Sequence, residues 1–255
     1  MESLRLSCLC GDITRSIDLP KSSLPIPITF CHCDSCRHVT GILYVSNLFL
    51  PSTSTHTHIG GDPRGYKTAT NLTRFFCGRC GSHCYLNLAP SDLVGVACGV
   101  LDKIEGVAEF KAHAHVTDTK DGGFTDWLPL PRWEGWPRQS KEIQSGTKLV
   151  PARPADGIQA SQTRLRGRCH CGGVQFDITR PSEDSSNLSS PWPDMLVPYH
   201  QEGRENAKDE KWWLRPGGKY LAGVCACRSC RLASGYDIQP WVYYSLRPHV
   251  SITLT

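Results

Sequence analysis

Fourteen cysteines stand in 255 residues, and twelve of them fall into short groups that are written twice along the chain. The first writing is Cys8-x-Cys10, then Cys31-x-Cys33-x-x-Cys36, then Cys77-x-x-Cys80. The second is Cys169-x-Cys171 and Cys225-x-Cys227-x-x-Cys230. C-x-C and C-x-x-C spacings bring sulfurs to where one tetrahedral ion can gather them, so the chain reads as a zinc protein. The rival reading is a secreted disulfide scaffold. It requires an export signal, and the opening MESLRLSCLCGDI has no apolar core of a signal peptide. Neighbours in C-x-C are also poor partners for disulfide geometry. The expectation is a cytoplasmic protein whose thiols stay reduced and bind metal.

The repeat sets the architecture. LRLSCLCGDITRSID at Leu4–Asp18 echoes LRGRCHCGGVQFDI at Leu165–Ile178, and ITFCHCDSCRHVTG at Ile28–Gly41 echoes AGVCACRSCRLASG at Ala222–Gly235. The doublets lie 161 positions apart and the triplets 194, so the second copy carries 33 extra residues between them. These fall near 181–215, rich in Ser, Pro and charge, which reads as a surface insertion with Trp212 and Trp213 covering a core. The counterpart of Cys77-x-x-Cys80 would fall at 271 and 274, beyond Thr255, so the second copy reads as C-terminally incomplete. Either the chain is cut short or the second copy is degenerate or completed by a partner. The expected organisation is a complete zinc-binding domain at 1–135, a linker at 136–163 and a partial copy at 164–255.

Short β-prone segments run through the first copy: Ile13–Leu19, Ile26–Phe30, Ile42–Leu50, Leu72–Phe76, Tyr85–Leu88, Leu93–Leu101 and Val107–Val116. Gly, Pro, Ser and Asn separate them, and no long stretch keeps a helical period. The fold class expected is all-β: small antiparallel sheets around zinc, in a tandem repeat with a truncated second copy. No apolar run approaches the roughly 18–20 residues of a membrane span. The formal charge of +4 comes from scattered Lys and Arg. It is offset once one four-thiolate and two three-thiolate zinc sites are counted, which argues against nucleic acid as a partner.

Ligand counting separates two kinds of site in the first copy. Cys8, Cys10, Cys77 and Cys80 supply the four ligands of a closed structural ion, each doublet followed by a turn-forming glycine, Gly11 or Gly81. Cys31, Cys33 and Cys36 remain as three ligands, the arrangement of a zinc with a position open to a guest. Three thiolates make that zinc a weak Lewis acid, better suited to holding an incoming thiol in its reactive, deprotonated form than to making hydroxide. The competing reading closes the triplet with a fourth side chain, with Cys84 and Cys98 as the spare thiols. Cys98, within VGVACGVLD, reads as a buried apolar residue. His32 and His38, and likewise His113 and His115, read as packing or surface residues. In the partial copy, Cys225, Cys227 and Cys230 form a second triplet, while Cys169 and Cys171 are half of a structural site.

At these residues the sequence resembles the family of glutathione-dependent formaldehyde-activating enzymes and centromere protein V. The resemblance rests on the CLCG opening, FCHCDSCR with Gly41 after it, RFFCGRCGS at Arg74–Ser82, GVLD at Gly99–Asp102, AHV at Ala114–Val116 and the region of Trp127. It covers Leu4 to Glu134 in the first copy and only the first two cysteine groups in the second. Cys84 departs from it, standing where the family usually has an apolar side chain. The resemblance implies a β-tent fold with two zinc ions per complete domain, the four-cysteine ion structural and the Cys31–Cys33–Cys36 ion catalytic. In the partial copy it leaves one zinc or none. It also implies a carbon–sulfur lyase activity that joins formaldehyde and glutathione reversibly to give S-hydroxymethylglutathione. Two other functions compete with it: a non-catalytic zinc module that binds or carries glutathione, and a chromatin-associated zinc module.

Overall fold

A computed structural model describes residues 1–51, 61–119, 121–144, 146–147, 149, 164–194, 205–244 and 253–254. The chain divides into two units. The first is Met1–Asp156 together with Cys225–Gln239, and the second is Gly157–Val224 together with Pro240–Thr255.

The first unit opens with an antiparallel hairpin, β1 (Glu2–Ser7) against β2 (Thr14–Leu19), in register from Glu2↔Leu19 to Ser7↔Thr14. Alternation puts Leu4, Leu6, Ile17 and Leu19 on one buried face while charged neighbours take the other. β3 (Ile26–Cys31) follows and runs into a seven-residue helix, α1 (Asp34–Thr40). Gly41 in the left-handed region (φ 73°) ends α1. Next come β4 (Asn47–Pro51), β5 (Pro63–Ala69), β6 (Leu72–Cys77), β7 (His83–Leu88) and β8 (Leu93–Ala97). These five form an antiparallel sheet in the order β4-β8-β7-β6-β5. β9 (Ala108–Ala114), β10 (Arg132–Trp133) and β11 (Glu142–Ile143) build a second sheet with β3, in the order β11-β10-β9-β3. Between the sheets, Leu4, Leu6, Ile13, Ile28, Leu48, Leu50, Val96 and Leu101 form one apolar core with Cys8, Cys31, Cys36 and Cys77 in it. Each fully buried aliphatic side chain there contributes about 1.5–3 kcal/mol.

Two expectations about strands need correction. The sheets are not all antiparallel, since β3 pairs in parallel with β9, and β9 in parallel with β10. The whole five-stranded sheet lies between β3 and β9 in sequence, and such a long excursion lets the chain return in the same direction. The strand expected over Ile42–Leu50 begins only at Asn47, because the residues after Gly41 turn to seat Ile42, Tyr44 and Val45 inside. Four strands of the first unit, β1, β5, β10 and β11, were not among the expected segments. The stretch expected as a linker, 136–163, carries β11, which pairs with β10 and whose Ile143 is buried. Residues 150–163 of it lie outside the described residues.

The second unit pairs β12 (Arg164–Arg168) antiparallel with β13 (Val174–Thr179). In the insertion, a short helix α2 (Glu183–Ser186) receives the buried Trp213, whose indole Nε1 donates to the Ser185 carbonyl at 3.0 Å. Trp212 stands edge-on to Trp213 and Tyr243. Residues 195–204 of the insertion lie outside the described residues. The chain then runs through β14 (Leu214–Arg215), β15 (Lys219–Tyr220) and β16 (Ala222–Cys225) to α3 (Arg228–Ser234) and β17 (Gln239–Val242). Mostly β with few and short helices, the molecule has no helix among its described residues long and apolar enough to cross a membrane.

Candidate metal centres

The β1–β2 turn and the β6–β7 turn carry the two doublets, and each bends back on itself through a glycine. Gly11 (φ 79°) donates its amide to the Cys8 carbonyl, and Gly81 (φ 78°) donates to the Cys77 carbonyl at 2.9 Å. The Ile13 amide donates to Cys8 Sγ at 3.3 Å, so the turn directs a backbone dipole at a sulfur. The sulfurs of Cys8, Cys10, Cys77 and Cys80 all lie within 4.8 Å of one another. Cys8 and Cys10 stand 3.6 Å apart, and Cys10 and Cys77 3.7 Å. A tetrahedral zinc with bonds near 2.3 Å needs sulfur–sulfur edges of about 3.8 Å, so the set fits such an ion. Burial pushes the Cys8 thiol up to about 12. Burial also opposes ionisation of Cys80, yet the Ser82 hydroxyl and amide and the neighbouring thiol bring it down to about 6. Four sulfurs in this setting ionise together only around a cation.

The second group sits where β3 meets α1. Cys33 caps the helix, its sulfur accepting from the Cys36 amide at 3.3 Å. Cys31 and Cys36 stand 3.6 Å apart, and all three sulfurs lie within 4.8 Å of one another. Hydrogen bonds from Cys31 and Cys36 hold the Cys33 thiol far below its usual value, at about 2. The same bonds and burial drive Cys31 well up. For Cys36 the Cys31 thiol pulls downward, but Cys33 and burial outweigh it and raise the group to about 11. One thiolate with two thiols is what three crowded sulfurs reach alone; a divalent ion lets all three ionise.

The side chains around this triplet are built for it. Arg74, on β6, is 3% exposed and donates Nη2 to Cys36 Sγ at 3.0 Å. Burial works against its charge, and Tyr236 and Cys36 more than compensate. His32 is fully buried, with Nε2 2.9 Å from His113 Nδ1, and His113 Nε2 lies 2.8 Å from the Leu128 carbonyl. The carbonyl only accepts, so His113 carries its proton on Nε2 and His32 donates from Nε2. Burial and then His113 lower His32 to about 3, so this chain of neutral rings pins the triplet loop to β9. His32 and His113 are thus packing residues, as expected. His38 lies on α1 with Nδ1 2.8 Å from the Asp34 carbonyl. His115 leaves the strand in the left-handed region (φ 56°) and packs edge-on to Trp136.

The spare thiols are occupied elsewhere. Cys84 is buried and donates to the Ser82 carbonyl at 3.3 Å, and burial raises its thiol. Cys98 is buried in the core, and burial raises it too. Neither belongs to a metal-binding group among the described residues. The second triplet repeats the first in outline, with Cys227 capping α3 and Gly235 (φ 84°) ending it, and its three sulfurs also lie within 4.8 Å of one another. Cys169 and Cys171 stand 3.4 Å apart, with the Val174 amide donating to Cys169 Sγ, and among the described residues no third donor joins them. A groove of about 830 Å³ lined by Asp121, Thr125, Arg132 and Glu142 contains no cysteine.

Small sheets closed around sulfur clusters that can hold metal ions define the class: a cysteine-anchored β domain. Comparison with known families makes this specific. Residues 3–118 match the family described as glutathione-dependent formaldehyde-activating enzyme, so that segment is similar to this family. No curated protein matches the chain. Sequence reasoning located every cysteine of these groups but passed over Arg74. Its signal was an arginine in the apolar strand run LTRFFC, three residues before Cys77.

Proposed function

We propose that the first unit is a zinc-dependent carbon–sulfur lyase acting on the adduct of glutathione, or a similar small thiol, with formaldehyde. Cys8, Cys10, Cys77 and Cys80 hold the structural ion, and Cys31, Cys33 and Cys36 the reactive one. In the addition direction the thiol sulfur bonds to the aldehyde carbon and the thiol proton ends on the oxygen; the reverse step breaks that carbon–sulfur bond. Zinc at the triplet supplies a Lewis-acid position that favours the guest thiol in its deprotonated form. The protein's share is to fix the three sulfurs, through the Cys33 cap, the Arg74 hydrogen bond and the His32–His113 pair. The observation that carries the reading is that three sulfurs converge and, among the described residues, no fourth side-chain donor joins them.

On this reading the partial copy, 164–255, adds one zinc at Cys225, Cys227 and Cys230 or none, and Cys169 and Cys171 hold no ion alone. A reducing, cytoplasmic location suits all of these thiols. Replacing Cys33 with alanine tests the reading. The variant is expected to keep the four-cysteine ion and its fold while losing formaldehyde–glutathione turnover, and turnover equal to wild type rejects it. Glutathione binding in the parent protein, without acceleration over the spontaneous aldehyde reaction, would leave a carrier in place of an enzyme.

A further inference from the structure

Arg74 is the least expected buried group in the first unit. Arg74 is 3% exposed, its Nη2 donates to Cys36 Sγ, and its Nε and Nη1 have no hydrogen-bond partner. A buried cation with two donors unmatched is costly to keep unless an anion faces it. Three thiolates around a divalent ion carry one net negative charge, which one guanidinium cancels.

The wall that keeps water from this pair comes from the far end of the sequence. Tyr236 and Asp237 follow α3 and belong to the first unit. Tyr236 is 2% exposed, packs against His83, and lies with its backbone so close to Gly99 that no Cβ fits there. The Gly99 amide donates to the Gly235 carbonyl at 3.0 Å, and the Ser46 hydroxyl donates to the Asp237 carboxylate. Gly235 meets the His83 carbonyl with equally little room. Burial among these groups raises the Tyr236 hydroxyl, so it stays neutral beside Arg74.

We propose that Arg74 is the positioning residue that sets the charge and ligand strength of the Cys31–Cys33–Cys36 centre, and that Tyr236 of the C-terminal segment keeps this contact dry. The inference rests on the reading of that triplet as a metal centre. By donating to Cys36, Arg74 withdraws electron density from one ligand, which favours the loaded triplet and then a negatively charged guest sulfur. In a water-excluded setting the effect is far larger than at the surface.

Full-length apoprotein titrated with cobalt(II) tests this, because four-thiolate and three-thiolate cobalt differ in their visible bands. With the second triplet removed by Cys227→Ser throughout, two cobalt sites fill in the first unit, and added glutathione shifts the bands of the Cys31–Cys33–Cys36 triplet alone. Arg74→Gln is expected to weaken triplet cobalt about 10–100-fold in chelator competition and to reduce the glutathione-induced shift, while the four-thiolate band is unchanged. Arg74→Lys, which keeps the charge but loses the fork, falls between. Equal affinity and equal shift in Arg74→Gln overturn the proposal. If that variant also loses the four-thiolate band, its fold has failed and Arg74→Lys decides: triplet affinity equal to wild type overturns the proposal, and weakening at the triplet alone supports it. A wild-type protein with no triplet cobalt band overturns the metal-centre reading itself, and the role of Arg74 with it.

Discussion

Gly99 is a position where a single added atom would strain the contact between the Cys225–Gln239 segment and the rest of the first unit. An ideal Cβ there would lie 2.4 Å from both the backbone N and O of Tyr236, about 1 Å inside an ordinary contact. Backbone cannot rotate away as a side chain can. Gly99→Ala therefore forces either a shift of the segment or its withdrawal. Overpacking alone costs about 1–3 kcal/mol, and losing the Gly99-to-Gly235 hydrogen bond adds about 1 kcal/mol. Full withdrawal of Tyr236 sets a ceiling: an aromatic of its size buries about 150–250 Å², worth about 4–6 kcal/mol. The expected loss is thus about 2–5 kcal/mol of local stability. Hydrogen exchange read peptide by peptide should show 225–239 opening faster by at least tenfold, with β1 and β2 keeping their protection. Exchange across Gly235–Asp237 equal to wild type would refute the packing argument.

Other outcomes follow from the same geometry. Cys77→Ser should remove the four-cysteine ion and unfold much of the first unit, read as loss of β-sheet circular dichroism and of one metal equivalent. His113→Leu leaves His32 Nε2 without its acceptor inside the core, costing about 1–3 kcal/mol in urea denaturation, whereas the smaller apolar change Cys84→Ala should leave the metal count unchanged. Burial, and secondarily Arg74, depresses His83 to about 4 against an ordinary 6.5. Between those values the unfolded chain binds more protons than the folded one, so this residue makes stability fall as pH drops from 6.5 towards 4, by at most about 3 kcal/mol. His83→Phe should flatten that slope relative to wild type in parallel denaturation series, and an unchanged slope would contradict the assignment.

The two cysteine sets of the first copy could be read directly, because their spacing is short-range and each doublet carries its own turn glycine. Strands β2, β3, β6, β7 and β8 were legible for a similar reason, being apolar runs between turn residues. β5 was not, since PRGYKTA is polar on both faces and owes its strand to pairing with β6. The parallel union of β3 with β9 leaves no periodic trace, because strand pattern records burial and not the identity of the neighbour. α1 is too short to show a helical period and is set by the Cys33 cap and Gly41. Arg74 and Tyr236 were illegible for the deepest reason: their contact joins positions 162 residues apart, and the repeat directed attention to the partners of the second triplet within its own copy.

The bond between β3 and β9 also fixes an order in time. Cys80 completes the four-sulfur set, but Cys31, already bridged to Val45, gains its parallel neighbour only when Ala114 has been synthesised. On a ribosome the four-sulfur set is therefore complete some thirty residues before the triplet loop has its parallel strand.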